Sequence, residues 1–141
     1  RLSAGPQHRP RGGAPVTPEC DALLAAADAK LRAADLLLTE GLPDDAASRA
    51  YYAAFHAVSA LHLADGNAFS SHAQLIGRFN KDFVRTGRMP TAFAKVLTRL
   101  FQDRQLGDYG APASISPEQA RQDIDDARQL IAAIQDALGL R

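Results

Sequence analysis

The chain has 141 residues, of which 46% are hydrophobic and 23% charged, and sixteen Lys plus Arg balance sixteen Asp plus Glu. That length suits one domain around one core, and the apolar-to-charged balance excludes a wholly disordered chain. A single cysteine, Cys20, excludes an internal disulfide framework and fits a reducing, cytoplasmic setting, and the longest charge-free run, Ala50 to Ala64, is too short and polar to span a bilayer.

Residues 1–16 combine Pro6, Pro10 and Pro15 with glycine and serine and read as a disordered N-terminal tail, leaving 17–141 as a single helical domain. The first helix opens at Thr17-Pro18-Glu19, a capping residue followed by proline at the first helical position, and closes at Gly41. Within it Leu23, Ala27, Leu31, Ala34 and Leu38 alternate at spacings of four and three, which makes one apolar stripe. A second helix runs from about Asp44, after Pro43, to Asp65-Gly66-Asn67; alanine and aromatic residues cover most of its circumference, so it should be central. A third begins at Ser70-Ser71, turns Leu75, Ile76, Phe79 and Phe83 inward and stops at Gly87. A fourth starts near Pro90 and carries Phe93, Val96, Leu97, Leu100 and Phe101 at helical spacing. The last has an N-cap, an N1 proline and a capping-box glutamine in Ser116-Pro117-Glu118-Gln119, then the stripe Ala120, Ile124, Ala127, Ile131, Ile134 and Leu138. No segment alternates with period two, so the spacing predicts an all-α, up-and-down antiparallel helical bundle of about five helices.

Several chemistries fail on spacing. None of the three glutamates is followed by a histidine three residues on, which removes a ferritin-like di-metal site, and His56 and His62 sit six apart on one helix, turned about 120° from each other. No metal and no cofactor is therefore expected. There is no Gly-Lys-Ser/Thr phosphate loop and no serine-hydrolase elbow, and Cys20 lacks a histidine nearby in sequence to act as its base.

Two constellations remain. Projected at 100° per residue, Asp45, Ser48, Arg49, Tyr52, His56 and Ser59 fall in one narrow sector of the second helix. That stripe is either a solvated edge or buried network, or a groove that holds an anion against Arg49 and a titratable imidazole. The second is Asp103-Arg104-Gln105-Leu106-Gly107-Asp108-Tyr109-Gly110, where the fourth helix ends. Arginine, carboxylate and tyrosine around a glycine-framed terminus suit a site, or a tyrosine packed over a turn.

Ala47-Ser48-Arg49-Ala50-Tyr51-Tyr52-Ala53-Ala54-Phe55-His56-Ala57, His72 after a Ser-Ser turn, Arg104-x-x-x-Asp108-Tyr109-Gly110 and a closing helix beginning Ser116-Pro117-Glu118 together resemble the HEPN domain family. The likeness spans residues 19 to 138 and is nearest to its small stand-alone prokaryotic branch. It implies an all-α bundle, usually a homodimer, often produced beside a minimal nucleotidyltransferase as a toxin and antitoxin pair. Many members are metal-independent endoribonucleases with an Arg-x(4 to 6)-His motif, in which imidazole moves the proton of the RNA 2′-hydroxyl and arginine stabilises charge at phosphorus. Here Tyr109 stands where the histidine would be, and tyrosine, with a reference pKa near ~10, is a poor base at neutral pH. The resemblance puts Arg104, Asp108 and Tyr109 in the catalytic group; His56, spaced from Arg49 as Arg-x6-His on the second helix rather than where the family usually keeps its pair, is a further catalytic candidate, with Arg49 and Tyr52 as binding residues. Some partner enzymes transfer AMP to a tyrosine beyond that histidine, a role whose nearest counterpart here is Tyr109. A non-catalytic module that binds a nucleotide or a partner protein is the alternative.

The zero net charge is a cancellation. Residues 73 to 104 carry seven basic groups against two acidic ones, and acidic segments lie on both sides. Arg78, Lys81 and Arg85, then Lys95 and Arg99, recur at helical spacing, so two adjacent helices can present one basic face to RNA or a nucleotide. The same face could equally be solvated in ion pairs or meet an acidic protein.

Overall fold

The computed structural model describes residues 16–140. They form α1 (Pro18–Thr39), α2 (Pro43–Ala64), α3 (His72–Phe79), α4 (Ala92–Tyr109) and α5 (Pro117–Ala137), with no strand among the described residues. The all-α bundle that the helical periodicity predicts is the fold observed. Of the expected tail only Val16 lies within the described residues, and it is half-buried against the core.

The caps explain where three helices start. Thr17, Ser71 and Ser116 each precede a first turn and accept a bond from the backbone N–H three residues on, at 3.2, 3.2 and 3.0 Å, which satisfies a donor that the helix leaves orphaned. Gln119 does not complete a capping box as its spacing predicts. Its amide instead donates to Asp123 at 3.0 Å, because a buried carboxylate needs donors more than an exposed helix start does. α3 continues through a π-helical turn over Asn80–Val84, closed by Arg85 N–H on the Asn80 carbonyl at 2.9 Å.

Helix α2 is the centre. It packs against α1, α4 and α5, and seven of its alanines between Ala46 and Ala60 are fully buried. A methyl side chain lets the neighbouring backbones approach closely while still removing apolar surface from water. The stripe predicted for α5 is buried throughout; in α1 and α4 the stripe residues are buried or half-buried. Cys20 is a core residue, its thiol 3.6 Å from the Ala60 carbonyl.

Two polar devices hold the helices together. At the α4–α5 contact, buried Asp103 faces Asp123, which has no exposed surface, and a hydrogen bond between the two carboxyls pushes the Asp123 pKa up from 3.8 to about 7, burial being the larger cause. Arg99 reaches Asp123 at 3.3 Å and Asp126 at 2.5 Å. At the far end of α4, Gly107 crosses the start of α2 so closely that a Cβ there would sit 2.5 Å from the Asp44 carbonyl oxygen. The Asp44 carboxylate then accepts from the Ala113 and Ile115 N–H groups, both at 2.8 Å, and anchors the loop that leaves α4.

Candidate functional site

Leu97 and Leu100 are buried on α4, and Arg104 follows four residues later on the same face, so the helix carries a cation into its own core stripe. The Arg104 side chain is 9% exposed. Its Nη2 donates to the Tyr52 hydroxyl at 2.6 Å, its Nε lies 3.5 Å from Asp108, and Ser48 donates to the same Asp108 oxygen at 3.2 Å. The guanidinium also sits near four rings, Tyr52 at 5.2 Å, Tyr109 at 5.6 Å, and Tyr51 and Phe101 at 5.8 Å. Cation–π contacts of this kind replace part of the hydration lost on burial. Burial alone would lower the Arg104 pKa, but Tyr52, Tyr109 and Asp108 outweigh it and hold the value above that of an ordinary arginine.

Beside this cluster the polar stripe of α2 opens into a cleft of about 560 Å³ lined by Asp45, Ser48, Arg49, Tyr52 and His56, with Asp108 from α4 and Lys30 from α1. Burial, and then the Lys30 charge, hold His56 below the usual histidine pKa, so at neutral pH its imidazole is uncharged. Lys30 and Arg49 share the lining with Asp45 and Asp108, around a volume large enough for a nucleotide-sized group. Tyr52 joins the two parts, because it lines the cleft and takes the Arg104 hydrogen bond.

Of the residues singled out in the sequence, Arg104, Asp108 and Tyr109 meet at the end of α4, and Arg49, Tyr52 and His56 meet in the cleft. Tyr109 is 76% exposed and offers its ring rather than a buried hydroxyl. The other basic residues lie elsewhere. Arg78 pairs with Asp82 at 2.9 Å and covers Phe69, Arg99 is committed to Asp123 and Asp126, Lys81 and Arg85 are exposed, and Lys95 shares a separate shallow hollow with Arg99 and Asn80. Asp123 and Asp126 are partners that the linear charge count set in opposition without placing them.

The sequence reading gives no site role to Lys30, and none to His72, at the first position of α3. His72 Nε2 stands 3.4 Å from Arg104 Nη2, and its Nδ1 lies 2.6 Å from the Tyr51 hydroxyl. Burial and then Arg104 lower its pKa, while burial pushes that of Tyr51 up. Among the described residues no group of three or more His, Cys, Asp or Glu side chains could hold a metal ion, and no helix is long and apolar enough to cross a membrane.

Comparison with known proteins agrees with this architecture. The model of the HEPN domain matches residues 20–137. A UPF0332 protein of Thermotoga maritima is 38% identical over 102 residues, covering 72% of this chain and 77% of that protein. The protein named "Putative toxin MJ0605" of Methanocaldococcus jannaschii is 32% identical over 123 residues, 87% of this chain and 91% of its own length. A Gloeobacter violaceus relative, UPF0332 protein glr0978, is 36% identical over 117 residues, 83% and 88% of the two chains. With the family model spanning nearly every described residue and all five helices in place, the chain belongs to the HEPN domain family.

Proposed function

We propose that this chain is the toxin-like member of a HEPN and nucleotidyltransferase toxin–antitoxin pair, binding RNA and cleaving it without a metal ion. The observation that carries this reading is Arg104, a buried cation held by the Tyr52 hydroxyl and surrounded by four rings, that of Tyr52 among them, at the edge of a cleft that holds two further cations. A guanidinium so placed can meet a phosphate bidentately and favour the charge that builds on phosphorus, while the tyrosine rings offer stacking surface to bases. The relative named a toxin supports the biological class. Leu106 and Tyr109, exposed on the last turn of α4, suit a homodimer that brings two such sites together.

A second reading has its own observation. Tyr109, in place of the motif histidine, is exposed and presents a ring, which favours a non-catalytic module that binds a nucleotide or a partner protein through the cleft. Incubating the protein with total RNA in excess EDTA separates the two. Cleavage that Arg104→Ala abolishes supports the ribonuclease; intact RNA, with a thermal shift on adding ATP, supports the binding module.

A further inference from the structure

We propose that His72 is the proton acceptor of this site, taking the place at Arg104 that Tyr109 leaves open. The inference rests on the ribonuclease reading above and assigns its base. His72 is the first residue of α3, behind the N-cap Ser71, and its ring lies 5.0 Å from Phe55 and 5.5 Å from Tyr51 and Phe101. Those rings fix the imidazole plane, so its two nitrogens have definite neighbours.

The proposal assigns a tautomer. A guanidinium can only donate, so the nitrogen facing Arg104, Nε2, must present its lone pair. The proposal then puts the ring proton on Nδ1, which lies 2.6 Å from the Tyr51 hydroxyl. The charged and titratable groups that face the ring are Arg104 from α4, itself paired with Asp108, and Tyr51 and Tyr52 from α2. Burial first, and then the positive charge of Arg104, oppose protonation, which keeps the imidazole neutral near pH 7. A neutral imidazole whose lone pair is held only by this long contact, beside a phosphate-binding cation, suits abstraction of a 2′-hydroxyl proton.

The contact between Nε2 and Arg104 is 3.4 Å, long for a hydrogen bond, so it holds Nε2 only weakly, and a hydroxyl approaching from the side can replace it. The proton of the RNA 2′-hydroxyl passes to Nε2 as the O2′–P bond forms, and the P–O5′ bond breaks. The departing O5′ takes a proton from water and the imidazolium returns its own to solvent, leaving a 2′,3′-cyclic phosphate and a 5′-hydroxyl. Arg104 faces the charge on the phosphoryl oxygens throughout.

The test uses the full chain and a labelled mixed-sequence RNA oligonucleotide in EDTA. His72→Gln should slow cleavage by about 10²-fold or more while RNA binding, read by anisotropy, stays within about 3-fold. Wild-type cleavage should rise with pH along an acid limb whose midpoint lies below the ordinary histidine value; Tyr51→Phe should move that midpoint and His72→Gln should remove the limb. A folded His72→Gln protein that cleaves within about 3-fold of wild type overturns the proposal and leaves the ribonuclease reading standing. A wild-type protein that binds the oligonucleotide without cutting it overturns both. Long-range proton–nitrogen NMR on the wild-type protein is independent of turnover and of the variants' folding: His72 should be the Nδ1–H tautomer, and the Nε2–H form would refute the assignment.

Discussion

Asp123→Asn should flatten the pH dependence of stability. The carboxyl has no exposed surface; one oxygen takes Gln119 at 3.0 Å and Arg99 at 3.3 Å, while the other, like Asp103 Oδ2, has no donor besides a proton shared between the two acids. Because its folded pKa is raised from 3.8 to about 7, the folded state binds the proton more tightly than the unfolded chain. The sign follows from linkage: the contribution is fully present below about pH 4 and is lost as pH rises through 7. At ~1.36 kcal/mol per pH unit, integration from pH 5 to pH 8 gives a loss of roughly 2–3 kcal/mol. Asparagine supplies a permanent donor and acceptor in the same shape and carries no charge to bury. Urea unfolding followed by circular dichroism at pH 5, 6, 7 and 8 therefore should show wild type and variant close together at pH 5 and separated by roughly 2–3 kcal/mol at pH 8, the variant being the more stable. Two parallel pH profiles would refute the shared-proton account.

Other substitutions test the remaining joints. Gly107→Ala drives a methyl group into the Asp44 carbonyl, 2.5 Å away, and should cost about 1–3 kcal/mol with a matching fall in Tm; an unchanged Tm would mean that the α2–α4 crossing yields easily. Asp44→Ala strips the Ala113 and Ile115 N–H groups of their acceptor, and should cost about 1–3 kcal/mol and speed proteolysis between residues 110 and 116. Arg104→Lys keeps the charge but loses the planar fork, so RNA affinity measured at low salt should fall about 10-fold, and an affinity equal to wild type would place RNA elsewhere on the surface. Ser116→Ala removes the cap of α5 and should lower stability by about 1 kcal/mol in thermal melts.

The helices were legible because apolar spacing and capping residues are local signals. The stripe from Asp45 to His56 was legible for the same reason: five of its residues line the cleft, as a 100° rotation per residue requires. Lys30 was not, since its arrival depends on the angle at which α1 crosses α2. His72 reads locally as a helix start, and only the packing of α3 over α2 and α4 brings it to Arg104. The ion pairs of the basic face were legible only in part, for a related cause. Arg78 meets Asp82 one turn away, a pairing visible in sequence, whereas Asp123 and Asp126 reach Arg99 from a helix more than twenty residues later. A further signal lies in the sequence itself: Arg104 continues the stripe of Leu97 and Leu100, and an arginine in an apolar register calls for buried partners.

Helix α2 has no idle side. From Ala46 to Ala64 each position either fills the core, touches a neighbouring helix or faces the cleft; Asp45 and Arg49 are its exposed residues, and both line that cleft. Sequence drift therefore has almost no neutral ground on this helix. A larger residue at a buried alanine would wedge α1, α4 or α5 outward and carry Tyr52 away from Arg104, so a change far from any ligand would be felt as lost function. For anyone labelling or diversifying the protein, the outer faces of α1 and α5 are the places to begin, and α2 is the one to leave alone.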